Sequence, residues 1–254
     1  PTAFELYANA RPVFRIRLQS ESFGPHAPTA VSQPGFLKAV IERARAFPHF
    51  RVELGVTARG LLRTDGRVEG VTVRSQSGSQ TLHSALVVGA DGRNSVIRRA
   101  CDLDVRKYGI DFDIVWFKVP PPAFLGDQPP LRAYVGRGHL LIAYLAADGL
   151  LQVAWIITKG TYGELRRRGI SEWVEEMAHH VTPDLGVHFR THSRSLTDSF
   201  LLSTVSDRVT SWSVPGVLVI GDAAHTMSPV GAQGINIALR DAIVAANHLV
   251  PVLR

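Results

Sequence analysis

The chain has 254 residues, 45% of them apolar, with 28 Lys and Arg against 22 Asp and Glu for a net charge of +6, and a single cysteine, Cys101. That is enough apolar material for one or two cored domains; no run approaches the roughly 18 apolar residues of a membrane-spanning helix, and one cysteine excludes an internal disulfide, which suits a cytoplasmic, reducing compartment. Only four of the basic residues are Lys, and the Arg are scattered along the chain rather than gathered in the patch that a nucleic-acid partner requires.

Apolar and basic residues alternate over 13–18, as in a half-buried strand. Pro25 and Pro28 break the next stretch. Phe36, Leu37, Val40, Ile41 and Ala44 recur at helical spacing over 35–47, and Pro48 stops that helix. Residues 51–54 read as a strand. Residues 68–73 and 81–88 flank Gln76-Ser77-Gly78-Ser79 and read as a hairpin whose second arm delivers Asp91-Gly92. Residues 114–119, 132–136, 140–145 and 151–157 form apolar runs, the last three separated by Gly-containing turns, which predicts an antiparallel meander. A helix is expected over 171–180 with Ser171 as N-cap, beside the Arg166-Arg167-Arg168 cluster. Residues 200–202 return the chain to a strand at 217–220.

Two strand ends carry the chemistry. The run Leu86-Val87-Val88 ends in Gly89-Ala90-Asp91-Gly92, followed by Ser95 and Arg98. The run 217–220 ends in Gly221-Asp222-Ala223-Ala224-His225, followed by Ser228-Pro229-Val230-Gly231-Ala232-Gln233-Gly234-Ile235-Asn236 and an alanine-rich helix. Each puts a carboxylate at the carboxyl end of a strand. The second also leaves bare N–H groups at a helix start, an arrangement that holds a polyhydroxylated, partly anionic cofactor. Asp222 either takes that part or caps the next turn. His225 beside a carboxylate suggests a general base or a metal ligand, but no second His or Cys stands nearby at ligand spacing, so no metal is expected.

The two segments resemble the two downstream fingerprints of the FAD-dependent aromatic hydroxylases, the class A flavoprotein monooxygenases: D-G-x-x-S-x-x-R and G-D-A-A-H…P-x-G-x-Q-G-x-N. The resemblance implies an α/β (α+β) fold, with a partial Rossmann-like FAD-binding domain over 29–108 and 206–254 and an inserted antiparallel β-sheet substrate domain over 1–28 and 109–205. It implies FAD contacts from Asp91, Gly92, Ser95 and Arg98 on the diphosphate side, from Gly221 and Asp222 at the ribityl chain, and from Pro229, Gly231, Gly234, Ile235 and Asn236 around the flavin. Gln33 falls where the family often places a polar FAD contact, and reads equally as a helix cap. Ala232 stands where glycine is frequent, and His225 takes a packing or orienting role. The G-x-G-x-x-G turn that should open such a protein is missing, so the chain reads as a piece of a longer one.

The implied activity is hydroxylation of an aromatic or otherwise electron-rich small molecule, using O2 and NADPH or NADH, with the hard chemistry carried by the flavin. No catalytic residue is assigned, and the sequence sets no oligomeric state. The alternatives are another flavoenzyme of the same fold, a halogenase or a reductase, or a binding module that no longer holds FAD. Of the aromatic residues Trp116, Phe117, Tyr134, Tyr144 and Trp155, two are expected to line a substrate pocket and the rest to form core.

Overall fold

The computed structural model describes residues 3–18, 31–126, 129–136 and 138–253. The Pro25–Pro28 break and the start at Pro1 lie outside them. Helices and strands are mixed, with one large and three small sheets that are mostly antiparallel, and the chain divides into two compact units, residues 1–50 with 111–203 and residues 51–110 with 204–254. The division expected from the sequence differs at 29–50, and by two residues at each of 109–110 and 204–205. Helix α1 (Gln33–Ala44) buries none of its residues, so its grouping follows the chain and not a packed face.

The first unit is built on a seven-stranded sheet. Its spatial order is β12 (Phe200–Leu202), β8 (Phe112–Val119), β11 (Leu151–Thr158), β10 (His139–Leu145), β9 (Leu131–Gly136), β1 (Ala3–Ala8) and β2 (Arg11–Arg17). The expected meander is present: β9, β10 and β11 pair antiparallel in sequence, and β11 continues onto β8. The period-2 alternation of strands sorts the sheet into two faces. On one, Val115, Phe117, Tyr134, Leu141, Leu151, Val153 and Trp155 pack against Leu165, Trp173, Met177, Leu185 and Phe189. Those partners come from α3 (Tyr162–Arg168), α4 (Ile170–Ala178) and α5 (Pro183–Thr191). Each fully buried side chain of this size contributes about 1.5–3 kcal/mol.

Several local expectations are corrected. Strand β2 is exposed along its whole length, not half-buried, because it is the sheet's edge. Gly169, with φ of 93°, caps α4, so Ser171 lies inside the helix. Arg166, Arg167 and Arg168 form the last turn of α3, where cations meet the helix's negative end.

The second unit holds three three-stranded sheets. One joins β3 (Thr57–Thr64), β4 (Arg67–Ser75) and β5 (Gly78–His83); β4 and β5 are the expected hairpin. Residues 51–54 are not a strand, and Leu54 is 86% exposed. The second hairpin arm ends at His83; a new strand, β6 (Val87–Gly89), starts in another sheet. There it pairs parallel with β15 (Val217–Val219), itself paired with β14 (Ser213–Val214). The third sheet is β7 (Val105–Tyr108), β13 (Ser206–Val209) and β16 (His225–Thr226). Helix α2 (Val96–Ala100) and helix α6 (Gly234–Leu253) complete the unit. Its core gathers Val68, Val87, Ile97, Val209, Val217, Val219, Ala223 and Ala224.

Candidate functional site

The parallel pairing of β6 with β15 runs in register from Val217↔Val87 to Val219↔Gly89, and Ile220 N–H donates to the Gly89 carbonyl at 2.9 Å. Asp91 and Asp222 therefore leave the carboxyl ends of two adjacent parallel strands, where sheets of this kind receive ligands. The strand is only partly the buried run that was expected: Val87 is buried, Val88 is 46% exposed, and Leu86 precedes it. Gly89 has a packing reason, since a Cβ there would lie 2.8 Å from Ile97 Cγ2 on α2.

The residues of the first motif are committed to their own turn and helix. Asp91 Oδ2 accepts the N–H groups of Val96 at 2.6 Å and Ile97 at 3.2 Å, and Oδ1 accepts the Ser95 hydroxyl. Ser95, fully buried, caps α2 by accepting Arg98 N–H at 2.9 Å. Arg98 is 8% exposed, and its guanidinium donates to Asp207 Oδ1 at 3.2 Å and to the Arg93 carbonyl at 2.7 Å. Asp207 Oδ1 also accepts Thr226 N–H at 3.3 Å, just past the second motif. Arg98 and Asp207 thus form a buried clamp between α2 and the β13–β16 pair. Gly92 turns the chain with φ of 79°.

The second motif presents open groups. Gly221 opens a 3-10 turn (Gly221–Ala223) with φ of 57°. The Asp222 side chain is half-buried and meets no hydrogen-bond partner among the described residues, so it caps nothing; only its carbonyl is used, by Thr226 Oγ1 at 3.2 Å. Pro229 sits half-buried in the following loop and its carbonyl accepts Ala232 N–H at 3.0 Å. Gly231 has φ of 113°, and Ala232 is left-handed at φ 52°. Helix α6 then begins at Gly234; among the described residues, its first N–H with an acceptor is that of Ile237, on the Gln233 carbonyl at 3.0 Å. Gly234, Ile235 and Asn236 keep their N–H groups open, as the start of a helix does. Gln233 and Asn236 side chains bond to Gly231 O and to each other instead.

Gln33 is the first residue of α1, in the other unit, and the cap there is Ser32, whose Oγ accepts Gly35 N–H at 3.3 Å. His225 donates from Nε2 to Asp241 Oδ2 at 2.6 Å and stacks at a tilt on Trp212, ring centres 5.0 Å apart. Asp241 escaped the sequence reading. It lies 16 residues beyond His225, outside either motif, and its signal is weak: it is the polar member of the inward stripe of α6, with Ile237, Ala238, Ala245 and Leu249. Asp207 was missed for the same reason, being remote in sequence from both motifs.

In the first unit, the five aromatic residues separate by face. Phe117, Tyr134 and Trp155 lie in the core beneath α3–α5. Trp116 and Tyr144 point from the other face, where Trp116 pairs across strands with Phe200. A hollow of about 440 Å3 opens there, lined by Trp116, Lys118, Leu150, Gln152, Asp198 and Phe200. Lys118 is ion-paired with Asp148. Burial pushes the Tyr144 hydroxyl pKa up, and the Lys118 charge partly opposes it. Among the described residues no cluster of three His, Cys, Asp or Glu could hold a metal ion, and no helix is long and apolar enough to cross a membrane.

Comparison with known proteins adds independent findings. A family model described as FAD binding domain matches residues 3–254. The chain is 31% identical over 217 residues to 6-methylpretetramide 4-monooxygenase of Streptomyces rimosus, covering 85% of this chain and 51% of that protein. Among solved structures, PqsL of P. aeruginosa in complex with 2-aminobenzoylacetate superposes with a TM-score of 0.79 at 19% identity, covering all of this chain and 68% of that one. The myxobacterial chondrochloren halogenase CndH superposes at 0.77 with 16% identity, covering 96% of this chain and 57% of that one. At such identities the structural matches show the fold alone. The chain spans about half the length of the curated relative it matches.

Proposed function

Since the chain belongs to the FAD binding domain family, we propose that it holds FAD in its second unit and forms part of a monooxygenase that hydroxylates an aromatic or otherwise electron-rich small molecule with NADPH or NADH and O2. One observation carries the reading: the uncommitted Asp222 carboxylate and the open N–H groups of Gly234, Ile235 and Asn236, both held to helix α6, are an acceptor and a donor set. They suit FAD, whose ribityl chain offers hydroxyl donors and whose flavin and diphosphate offer acceptors. The monooxygenase name of the S. rimosus relative supports the reaction class over halogenation.

In this reading Asp222 holds ribityl hydroxyls, the start of α6 faces the flavin with its partial positive charge, and Gly92, Pro229 and Gly231 leave room for close approach. Asp91, Ser95 and Arg98 act mainly by keeping the first strand end in place. When bound, the flavin supplies the redox chemistry that activates oxygen. The protein orients the substrate, excludes water and supplies fixed dipoles where charge develops. The open face of the seven-stranded sheet, with Trp116, Tyr144 and Phe200, offers a planar apolar surface for an aromatic ring. The cytoplasm is the proposed compartment, in keeping with a buried, unpaired Cys101.

The test is a visible spectrum and FAD titration of the purified full-length protein, followed by NAD(P)H oxidation with candidate phenols and anilines. Flavin absorbance and saturable binding are expected; a sample that takes up no FAD at high micromolar concentration refutes the assignment.

A further inference from the structure

We propose that Asp241 is a positioning residue for this cofactor site: through one oxygen, Oδ2, it pins the Gly221–Asp222 turn to helix α6 and so sets the Asp222 carboxylate against the N–H groups at that helix's own start. The proposal rests on the FAD reading above.

Asp241 is 8% exposed. Its Oδ2 accepts Gly221 N–H at 3.0 Å and His225 Nε2–H at 2.6 Å. These two donors bracket Asp222, one residue before it and three after. A carboxylate oxygen accepts, so the His225 proton sits on Nε2. One helical turn earlier on α6, Ala238 Cβ would lie 3.2 Å from a Cβ at Gly221. The turn therefore lies so close to α6 that a side chain at 221 would crowd Ala238, and two hydrogen bonds to one atom tie Gly221 and His225 to the helix. Asp241 stands seven residues after Gly234, about 10 Å along the helix at its usual rise. A rigid rod thus carries both the pin and the donor end. Among the described residues the Asp222 side chain makes no hydrogen bond; Thr226 Oγ1 holds its carbonyl within the turn, and the bonds that fix the turn against α6 are those to Asp241.

A consequence separates positioning from charge. Because a single oxygen serves both donors, asparagine can present its carbonyl oxygen in the same place and keep both bonds. Leucine, of similar volume, loses both and leaves Gly221 N–H buried without an acceptor.

The experiment compares wild type, Asp241→Asn, Asp241→Leu and His225→Phe in the full-length protein by FAD titration, thermal melting and amide hydrogen exchange over 221–226. Asp241→Leu should raise the FAD Kd by about tenfold or more and speed exchange at Gly221, while Asp241→Asn stays within about threefold of wild type. His225→Phe, which keeps a ring against Trp212 but removes one donor, should raise Kd by a few-fold, and it serves if the leucine variant does not fold. Variants that melt earlier yet bind FAD as wild type does, at a temperature where they are folded, would show a structural residue and overturn the proposal. So would an asparagine variant as impaired as the leucine one. If wild type itself binds no FAD, the function assignment fails; unchanged exchange at Gly221 in Asp241→Leu would independently show that Asp241 does not fix the turn.

Discussion

Asp91 and Asp222 close two adjacent parallel strands, yet their carboxylates serve different ends. Asp91 accepts three hydrogen bonds from α2 and its cap, so Asp91→Ala should cost about 0.5–2 kcal/mol of stability, as lost helix caps do. Asp222 accepts none within the described chain, so Asp222→Ala should leave the melting temperature within a degree or two and weaken FAD binding by about 1–3 kcal/mol, the range for charge-assisted hydrogen bonds. Paired melts and titrations check this; a reversed pattern would reverse the assignment. Ala232 carries the opposite kind of signal. Its left-handed φ of 52° costs an L-residue roughly 1–2 kcal/mol, so Ala232→Gly should leave stability unchanged or slightly raise it despite glycine's greater chain entropy. Tyr7 sets an alkaline limit. Burial, opposed by the Arg132 charge and reinforced by its hydrogen bond to Glu5, pushes its pKa from 10.0 up to about 12. A raised pKa means the folded state favours the neutral phenol. The stability this contributes is complete below pH 10 and fades as pH climbs through 12. Tyr7→Phe should flatten that part of an alkaline melting profile, and a profile that keeps its full slope would assign the loss elsewhere.

At the scale of elements, what could be read in the sequence depends on how local the signal is. The β4–β5 hairpin and the β9–β11 meander were legible because alternation and Gly-containing turns sit within a few residues. Strand β3 was not: Thr57-Ala58-Arg59-Gly60-Leu61-Leu62-Arg63 has broken alternation, and the pairing with β4 skips residues at two places. The break between β5 and β6 was invisible because residues 81–88 form one apolar-rich run, and only the partner strands divide it. Both motifs were found, but their buried anchors, Asp207 and Asp241, were not, since each is joined to its motif only by the fold. The Arg98–Asp207 clamp gives that point an energetic form. The pair is about nine-tenths buried, and removing one member of such a pair typically costs about 3–5 kcal/mol because the other charge is left uncompensated. Arg98→Ala should therefore act first on stability. A denaturant titration showing less than about 1 kcal/mol of loss, together with impaired cofactor binding, would return Arg98 to the role that the family resemblance implied.

The whole chain consists of two compact units with separate cores, one built on a seven-stranded sheet backed by three helices, the other on three small sheets and α6. The proposed cofactor groups, Asp222 and the start of α6, belong to the second unit, while the aromatic face of Trp116 and Phe200 belongs to the first. That separation predicts how binding energy is distributed. A ligand stabilises the state it binds by RT ln(1 + [L]/Kd), about 2.7 kcal/mol at one hundred times Kd. FAD should deliver this to the second unit directly. Hydrogen exchange with and without FAD should slow amides over 87–98 and 219–241, while the β10–β11 core around Leu141 and Val153 changes little. A phenolic ligand should give the complementary map, with protection along β8 and β12 near Trp116 and Phe200. Protection by FAD confined to the seven-stranded sheet would place the cofactor in the wrong unit and undo the assignment of Asp222, whatever the titration shows.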